Sequence, residues 1–229
     1  MRLKQLDLEY TLVRSKRKTV ALYIRNGGVE VRAPLKTPVC DIERFILSKE
    51  KWIADKLADS KEQSERRKSF TINYGDTIML HGKQYPLKAV DGNRAGFDGE
   101  SFFLPPGLSA NLIKTLSIKT YRMLAKKDMT MRVYTFSIRM RSYPSSVKIT
   151  GARTRWGSCS TNKSVNFSWR LLMADEEVID YVVVHELAHL KEMNHSARFW
   201  KIVEGVLPDY RDRKKRLLEL QKKLANEDW

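Results

Sequence analysis

The sequence predicts an α+β protein in two parts. Residues 1–107 read as a β-rich region with one long helix, and residues 108–229 as a domain with a small sheet and a helix carrying H-E-x-x-H. Two observations carry this division. Short alternating apolar runs punctuated by glycine dominate the first part, and helical-period runs dominate the second. Pro105-Pro106-Gly107 interrupts both patterns and marks the boundary between them.

Along the chain, residues 6–12 and 20–25 alternate as strands do, and Asn26-Gly27-Gly28 signals a hairpin turn into a returning strand over 29–34. Pro38 opens a helix whose apolar positions, Ile42, Phe45, Ile46, Trp52, Ile53 and Leu57, keep helical spacing until the polar stretch 60–68. Strands return at 70–73, 77–80, 84–90 and 101–104, with His81 in a turn and read as a surface residue. Residues 109–139 read as one or two helices with Leu112, Leu116, Tyr121, Leu124 and Met131 as the apolar face, stopped by Pro144. Two more strands are expected at 147–150 and 165–170. Asp175 is placed to cap the next helix, whose acidic first turn suits a helix N-terminus. A helix from His195-Ser196 to about Gly205 and a basic helix from Pro208 or Asp209 to about Ala225 complete the chain.

Composition narrows the classes. Hydrophobic residues make up 42% and charged residues 31% of the 229 positions, as in a globular protein able to bury a substantial core. The first five residues begin a charged, alternating stretch without an apolar core, and no apolar run approaches the roughly 18 residues of a membrane span. No membrane partner is therefore expected. Cys40 and Cys159 form neither a disulfide framework nor a C-x-x-C pair, which suits the cytoplasm and excludes a cysteine zinc cluster. The net charge is +16, and residues 119–155 hold ten basic side chains against one acidic. Such a run is either a solvated face or a field that draws an anionic nucleotide or nucleic acid.

Three of the four histidines fall between residues 185 and 195. On a helix His185 and His189 share one face, so both imidazoles can reach one cation, and Glu186 lies beside that face as a candidate general base. His195 comes six residues after His189, the spacing of the third ligand in H-E-x-x-H-x-x-G-x-x-H, although Glu192 stands where that pattern has glycine. The expected geometry is a helix ending near Glu192 or Met193, a left-handed turn at Asn194, and His195 swung back toward the cation. The alternative is three surface histidines on a polar helix, but the neighbouring apolar residues bury this helix, and buried histidines at such spacing usually bind a ligand such as a metal. Just upstream, Arg153 and Arg155 alternate across Thr154; on a strand they would share a face and could contact substrate or a developing oxyanion. Trp156 and Cys159 read as packing residues, and the strands around them could offer an edge to an extended peptide.

Arg155-Trp156-Gly157-Ser158-Cys159, the segments 166–171 and 178–189, Asn194-His195-Ser196 and Phe199-Trp200 together resemble the YgjP-like metal-dependent hydrolases, relatives of the SprT-like and WLM metallopeptidases. The resemblance extends to residues 28–34 and so covers nearly the whole chain. It implies a zincin-like catalytic domain, one Zn2+ or another divalent metal on His185, His189 and His195, and Glu186 as base. It leaves the substrate open between a peptide and a nucleoside triphosphate, since members are described as metallopeptidases and one branch as a UTP pyrophosphatase. A nucleic-acid-associated protein with a structural zinc is the non-enzymatic alternative; it would need a closed, four-ligand site, and only three ligands are evident.

Overall fold

The computed structural model describes residues 1–3, 7–25 and 27–229; Leu6 of the expected first strand and Asn26 of the expected hairpin turn lie outside the described residues. The chain forms two compact units. Met1–Phe70 with Ala225–Asp228 make the first, and Thr71–Leu224 with Trp229 the second.

In the first unit β1 (Arg2–Leu3), β2 (Leu8–Ser15), β3 (Ala21–Arg25) and β4 (Gly28–Pro34) form a sheet in the order β1-β2-β4-β3. β3 and β4 make the expected antiparallel pair, and β2 lies parallel to β4. Alternation along β4 turns Val29, Val31 and Ala33 inward onto Ile42, Ile46 and Ile53. Those isoleucines come from two helices rather than one, α1 (Val39–Leu47) and α2 (Glu50–Ser69). The break falls at Ser48, whose hydroxyl turns back to the Phe45 carbonyl, and at Lys49, which leaves helical geometry.

The second unit begins earlier than the Pro-Pro-Gly boundary at 107. The expected strand over 70–73 is irregular, because the Asp76 carboxylate accepts from the Asn73 amide and holds a turn. β5 (Thr77–Leu80), β6 (Lys83–Ala89), β7 (Gly96–Phe97) and β8 (Phe102–Leu104) then form a sheet in the order β5-β6-β8-β7. Its aromatic residues run into the core of the downstream helices. Phe97, Phe102, Tyr121 and Trp169 succeed one another with ring centroids 4.9, 5.2 and 5.2 Å apart. The strands of residues 77–104 therefore share one core with those helices, and Pro105-Pro106-Gly107 is a turn within that unit.

A single helix, α3 (Ala110–Met140), passes behind this core. Its buried face runs through Ile113, Tyr121, Ala125, Met129, Val133, Phe136 and Met140, whereas Leu112 and Met131, expected inside, are exposed. Small and polar positions such as Ser117 and Thr120 lie on the buried face, which shifts the apolar stripe away from the one the leucines suggest. β9 (Ser146–Thr150), β10 (Gly157–Cys159) and β11 (Ser164–Ser168) make the small sheet, ordered β10-β11-β9, and a 3-10 turn at Trp169–Met173 leads to α4 (Glu176–Ala188). α5 (Ala197–Val206) and α6 (Tyr210–Leu224) close the unit. α4 packs against α3, α5, α6 and β10, which explains why it is apolar on every side. Asp175 sits at its N-cap position, but its carboxylate makes no capping hydrogen bond.

His81 is not a free surface residue. Its Nε2 lies 3.0 Å from Asp128, and Asp128 also receives Arg132, which reaches on to Asp180. Burial alone would raise the Asp128 carboxyl, but the His81 hydrogen bond and the Arg132 charge hold it below its usual range. Arg132 is thus a cation shared by carboxylates of α3 and α4. Arg132→Met should leave Asp128 and Asp180 without that charge and cost about 2 kcal/mol, less than a fully buried pair because both carboxylates retain some solvent. A lowering of the thermal midpoint by about 4–8 °C would report it; an unchanged midpoint would refute the role.

Candidate metal centre

α4 delivers His185 near its end, with Glu186 beside it and 5% exposed. The helix stops at Ala188, sooner than expected, so His189 is its C-cap rather than an interior residue. Residues 189–191 continue as a tight turn, with the Leu190 amide on the Leu187 carbonyl and the Lys191 and Glu192 amides on the Ala188 carbonyl. The bend is also made differently from expectation. Asn194 does not take a left-handed conformation; its side-chain oxygen accepts from the Ser196 amide. Ser196 then caps α5 by accepting from the Phe199 amide. Two side-chain caps in succession do what glycine does in the longer motif, and they bring His195 back beside α4.

The nitrogen donors of His185, His189 and His195 lie within 4.8 Å of one another. Nε2 of His185 and Nε2 of His195 face each other at 3.0 Å. Two neutral imidazole acceptors would repel at that separation unless a proton or a cation lies between them. Ligand nitrogens in tetrahedral array around zinc stand roughly 3.3 Å apart, so the spacing suits a shared cation. The third histidine is oriented from behind, with Nδ1 of His189 3.2 Å from the Glu192 carbonyl, which leaves Nε2 for a metal. Burial, reinforced by His189, His195 and Lys214, pulls His185 down to about 3, and burial also lowers His189, so both rings are neutral donors at neutral pH. Among the described residues, Oε2 of Glu186 is buried without a hydrogen-bond partner, an orphaned polar atom beside the triad. The donor set therefore fits a divalent cation.

Other residues crowd this centre. Phe199, fully buried, packs its ring 4.9, 4.6 and 4.7 Å from the rings of His185, His189 and His195. Gly157 on the edge strand β10 presses directly on Glu186; a Cβ there would stand 2.5 Å from Oε1 and 2.6 Å from Cγ. Neither role is evident from spacing alone, although Phe199 lies one helical turn past His195 and Gly157 sits at the centre of the Arg-Trp-Gly-Ser-Cys segment. Cys159, two residues along β10, is half-buried, and burial together with the Glu186 charge pushes its thiol up.

The arginine pair separates. Residues 153–156 form no strand, so the strand alternation that would set Arg153 and Arg155 on one face is absent there, and the two side chains have different partners. Nη2 of Arg153 donates to the Trp229 main-chain oxygen at 2.7 Å, while Arg155 is exposed and its charge acts on Glu186. Several other bases of residues 119–155 are also tied internally: Lys126 to the Val147 carbonyl, Arg139 to the Val206 carbonyl, and Arg132 to the acids already named.

Burial pushes Glu186 up to about 8, against the pull of Arg155. The metal-free protein should therefore show a pH optimum of stability. Below about 6.5 the unfolded chain protonates His185 while the folded chain resists until about 3, so stability falls with falling pH. Between about 4.5 and 8 the unfolded chain ionises Glu186 while the folded chain keeps its proton, so stability falls with rising pH. The two slopes cancel near pH 4.5–6.5, and Glu186 alone removes about 2 kcal/mol from pH 6.5 to 8. Denaturant midpoints with a chelator present should decline over that range in the parent and not in Glu186→Gln. Parallel profiles would contradict the buried, protonated carboxyl.

A buried helix that offers two histidines, a third histidine folded back onto them and a carboxyl at their side belong to a metal-dependent hydrolase of the metallopeptidase class. Residues 18–220 match the model of the YgjP-like metallopeptidase domain, and the chain belongs to that family. No curated protein matches the sequence. Among solved structures, the metallopeptidase zymogen of Pyrococcus abyssi abylysin is similar, 25% identical over 43% of this chain and 97% of that one, with a TM-score of 0.38. The metallopeptidase zymogen of Methanocaldococcus jannaschii jannalysin is 22% identical over 42% and 96%, with a TM-score of 0.36. No helix among the described residues is long and apolar enough to cross a membrane.

Proposed function

We propose that this chain is a zinc-dependent peptidase in which His185, His189 and His195 hold the ion and Glu186 is the general base. One observation carries the reading: three imidazole nitrogens within 4.8 Å of one another stand beside a buried carboxyl whose Oε2 has no hydrogen-bond partner among the described residues. Zinc bound there would supply Lewis acidity, polarising the scissile carbonyl and acidifying water. The chain's own groups do the rest. Glu186 takes the proton of the attacking water onto its unpartnered oxygen and passes it to the departing amine. β10, the outer strand of its sheet and packed along α4, offers an edge on which an extended peptide can lie. Arg155, exposed and near enough to act on Glu186, is the better placed of the two arginines to meet substrate; Arg153 serves structure. The free thiols of Cys40 and Cys159 suit the reducing cytoplasm.

The test is metal analysis combined with a panel of unstructured peptides and nucleoside triphosphates, each with and without chelator. Chelator-sensitive peptide cleavage with about one zinc per chain is the expected result. Cleavage of nucleoside triphosphates alone would make the enzyme a pyrophosphatase. No turnover, with steeply salt-dependent nucleic-acid binding, would make the metal structural.

A further inference from the structure

We infer that Trp200 is a positioning residue for His195, holding the third imidazole in line by ring stacking where its two companions are held by the helix and its cap. The inference rests on the proposed ligand set. His185 is fixed by α4, and His189 by the helix end and the Glu192 carbonyl. His195 is exposed and lies just past the bend at 193–194, outside any helix or strand, and among the described residues its one hydrogen-bond partner is His185, across the ligand face itself. Rings supply its support. Trp200, one residue past Phe199 in α5, stacks on His195 with centroids 5.7 Å apart and planes at 30°. The indole is backed in turn by Tyr210, the first residue of α6, at 5.2 Å and 17°. Lys214, one turn further along α6, brings Nζ to 5.1 Å from the indole centroid.

The geometry assigns separate tasks to neighbouring aromatics. Phe199 touches all three imidazoles but meets His185 at 72° and His195 at 68°; its more parallel partner is His189, at 35°, so it does not set the plane of His195. Trp200 meets His185 at 60° but His195 at 30°, in an offset stack, so its stacking restrains the tilt of His195 rather than of His185. Offset stacking has a preferred orientation that an aliphatic side chain lacks. Through Tyr210, α6 thereby fixes a ligand that it does not itself supply.

The test measures zinc dissociation constants by chelator competition for the parent, Trp200→Met, Trp200→Phe and His195→Ala, with each Trp200 change repeated in the His195→Ala background. Thermal midpoints of the metal-free forms accompany them. Trp200→Met should weaken zinc binding roughly 10-fold, as loss of an orienting partner usually does. Trp200→Phe, which keeps an aromatic face, should stay within about 3-fold of the parent. Neither change should matter once His195 is alanine. A purely structural role would lower the metal-free midpoint, affect Met and Phe variants alike, and persist without His195; any of these overturns the inference. A parent that binds zinc no better than His195→Ala removes the ligand set itself, and the inference with it. Parent-like affinity in Trp200→Met, with His195→Ala weakened, overturns the inference alone.

Discussion

Glu186→Gln is expected to retain zinc at the parent level and to lower turnover by about a thousandfold, the middle of the range for a lost general base. The amide is nearly isosteric, so the packing against Gly157 survives, and glutamine is not one of the three nitrogen ligands. What disappears is an oxygen able to take a proton. The environment of Glu186 argues that proton handling is its purpose: at 5% exposed, with Oε2 unpartnered, it would be a costly place for a carboxylate without a cation nearby. In the metal-free protein burial pushes it up to about 8, and a bound divalent cation would draw it back down toward the working range of a base. Turnover within about threefold of the parent, measured on whichever panel substrate is cleaved, would remove Glu186 from the reaction. Loss of zinc alongside turnover would instead make it a ligand or a prop for one.

Much of this site is legible in the sequence because helical periodicity is local. His185, Glu186 and His189 are placed by the 3.6-residue repeat alone, and the apolar run around them announces a buried helix. The return of His195 is also legible, but its means are not. A left-handed Asn194 is expected from glycine's role in a longer motif, whereas the chain uses the Asn194 and Ser196 side chains as successive caps. Features that depend on contacts distant in sequence stay hidden. Residues 77–104 alternate like an independent β region, and only the ring sequence from Phe97 to Trp169 shows which core they serve. The alternation of Arg153 and Arg155 suggests a shared strand face, but the segment is no strand, and Arg153 is tied to the Trp229 main-chain oxygen while the charge of Arg155 acts on Glu186. His81, with no partner nearby in sequence, finds Asp128 on α3.

Gly157→Ala should reduce turnover by at least about a hundredfold while leaving zinc bound, because misplacing a catalytic group by about an ångström costs that much. The added methyl would stand 2.5 Å from Oε1, 2.6 Å from Cγ and 2.8 Å from Cδ of Glu186, closer than carbon and oxygen tolerate. Relief by moving β10 is blocked by its antiparallel pairing with β11, where Gly157 faces the fully buried Phe167. Shifting α4 is equally costly, since Val183, Val184 and Leu187 around Glu186 are all fully buried. The carboxyl is the one part free to rotate, and it would leave the ligand face. Gly151→Ala is the matched control. Its methyl would meet Nη2 of Arg122 at 2.8 Å, the end of a flexible exposed side chain that can swing aside, so turnover should stay within about twofold of the parent. Because the three atoms nearest the added methyl all belong to Glu186, zinc content separates displacement of the base from collapse of the centre. Parent-like turnover in Gly157→Ala would mean that β10 does not press on Glu186, and with that contact would go the case for a peptide lying along β10 beside the base.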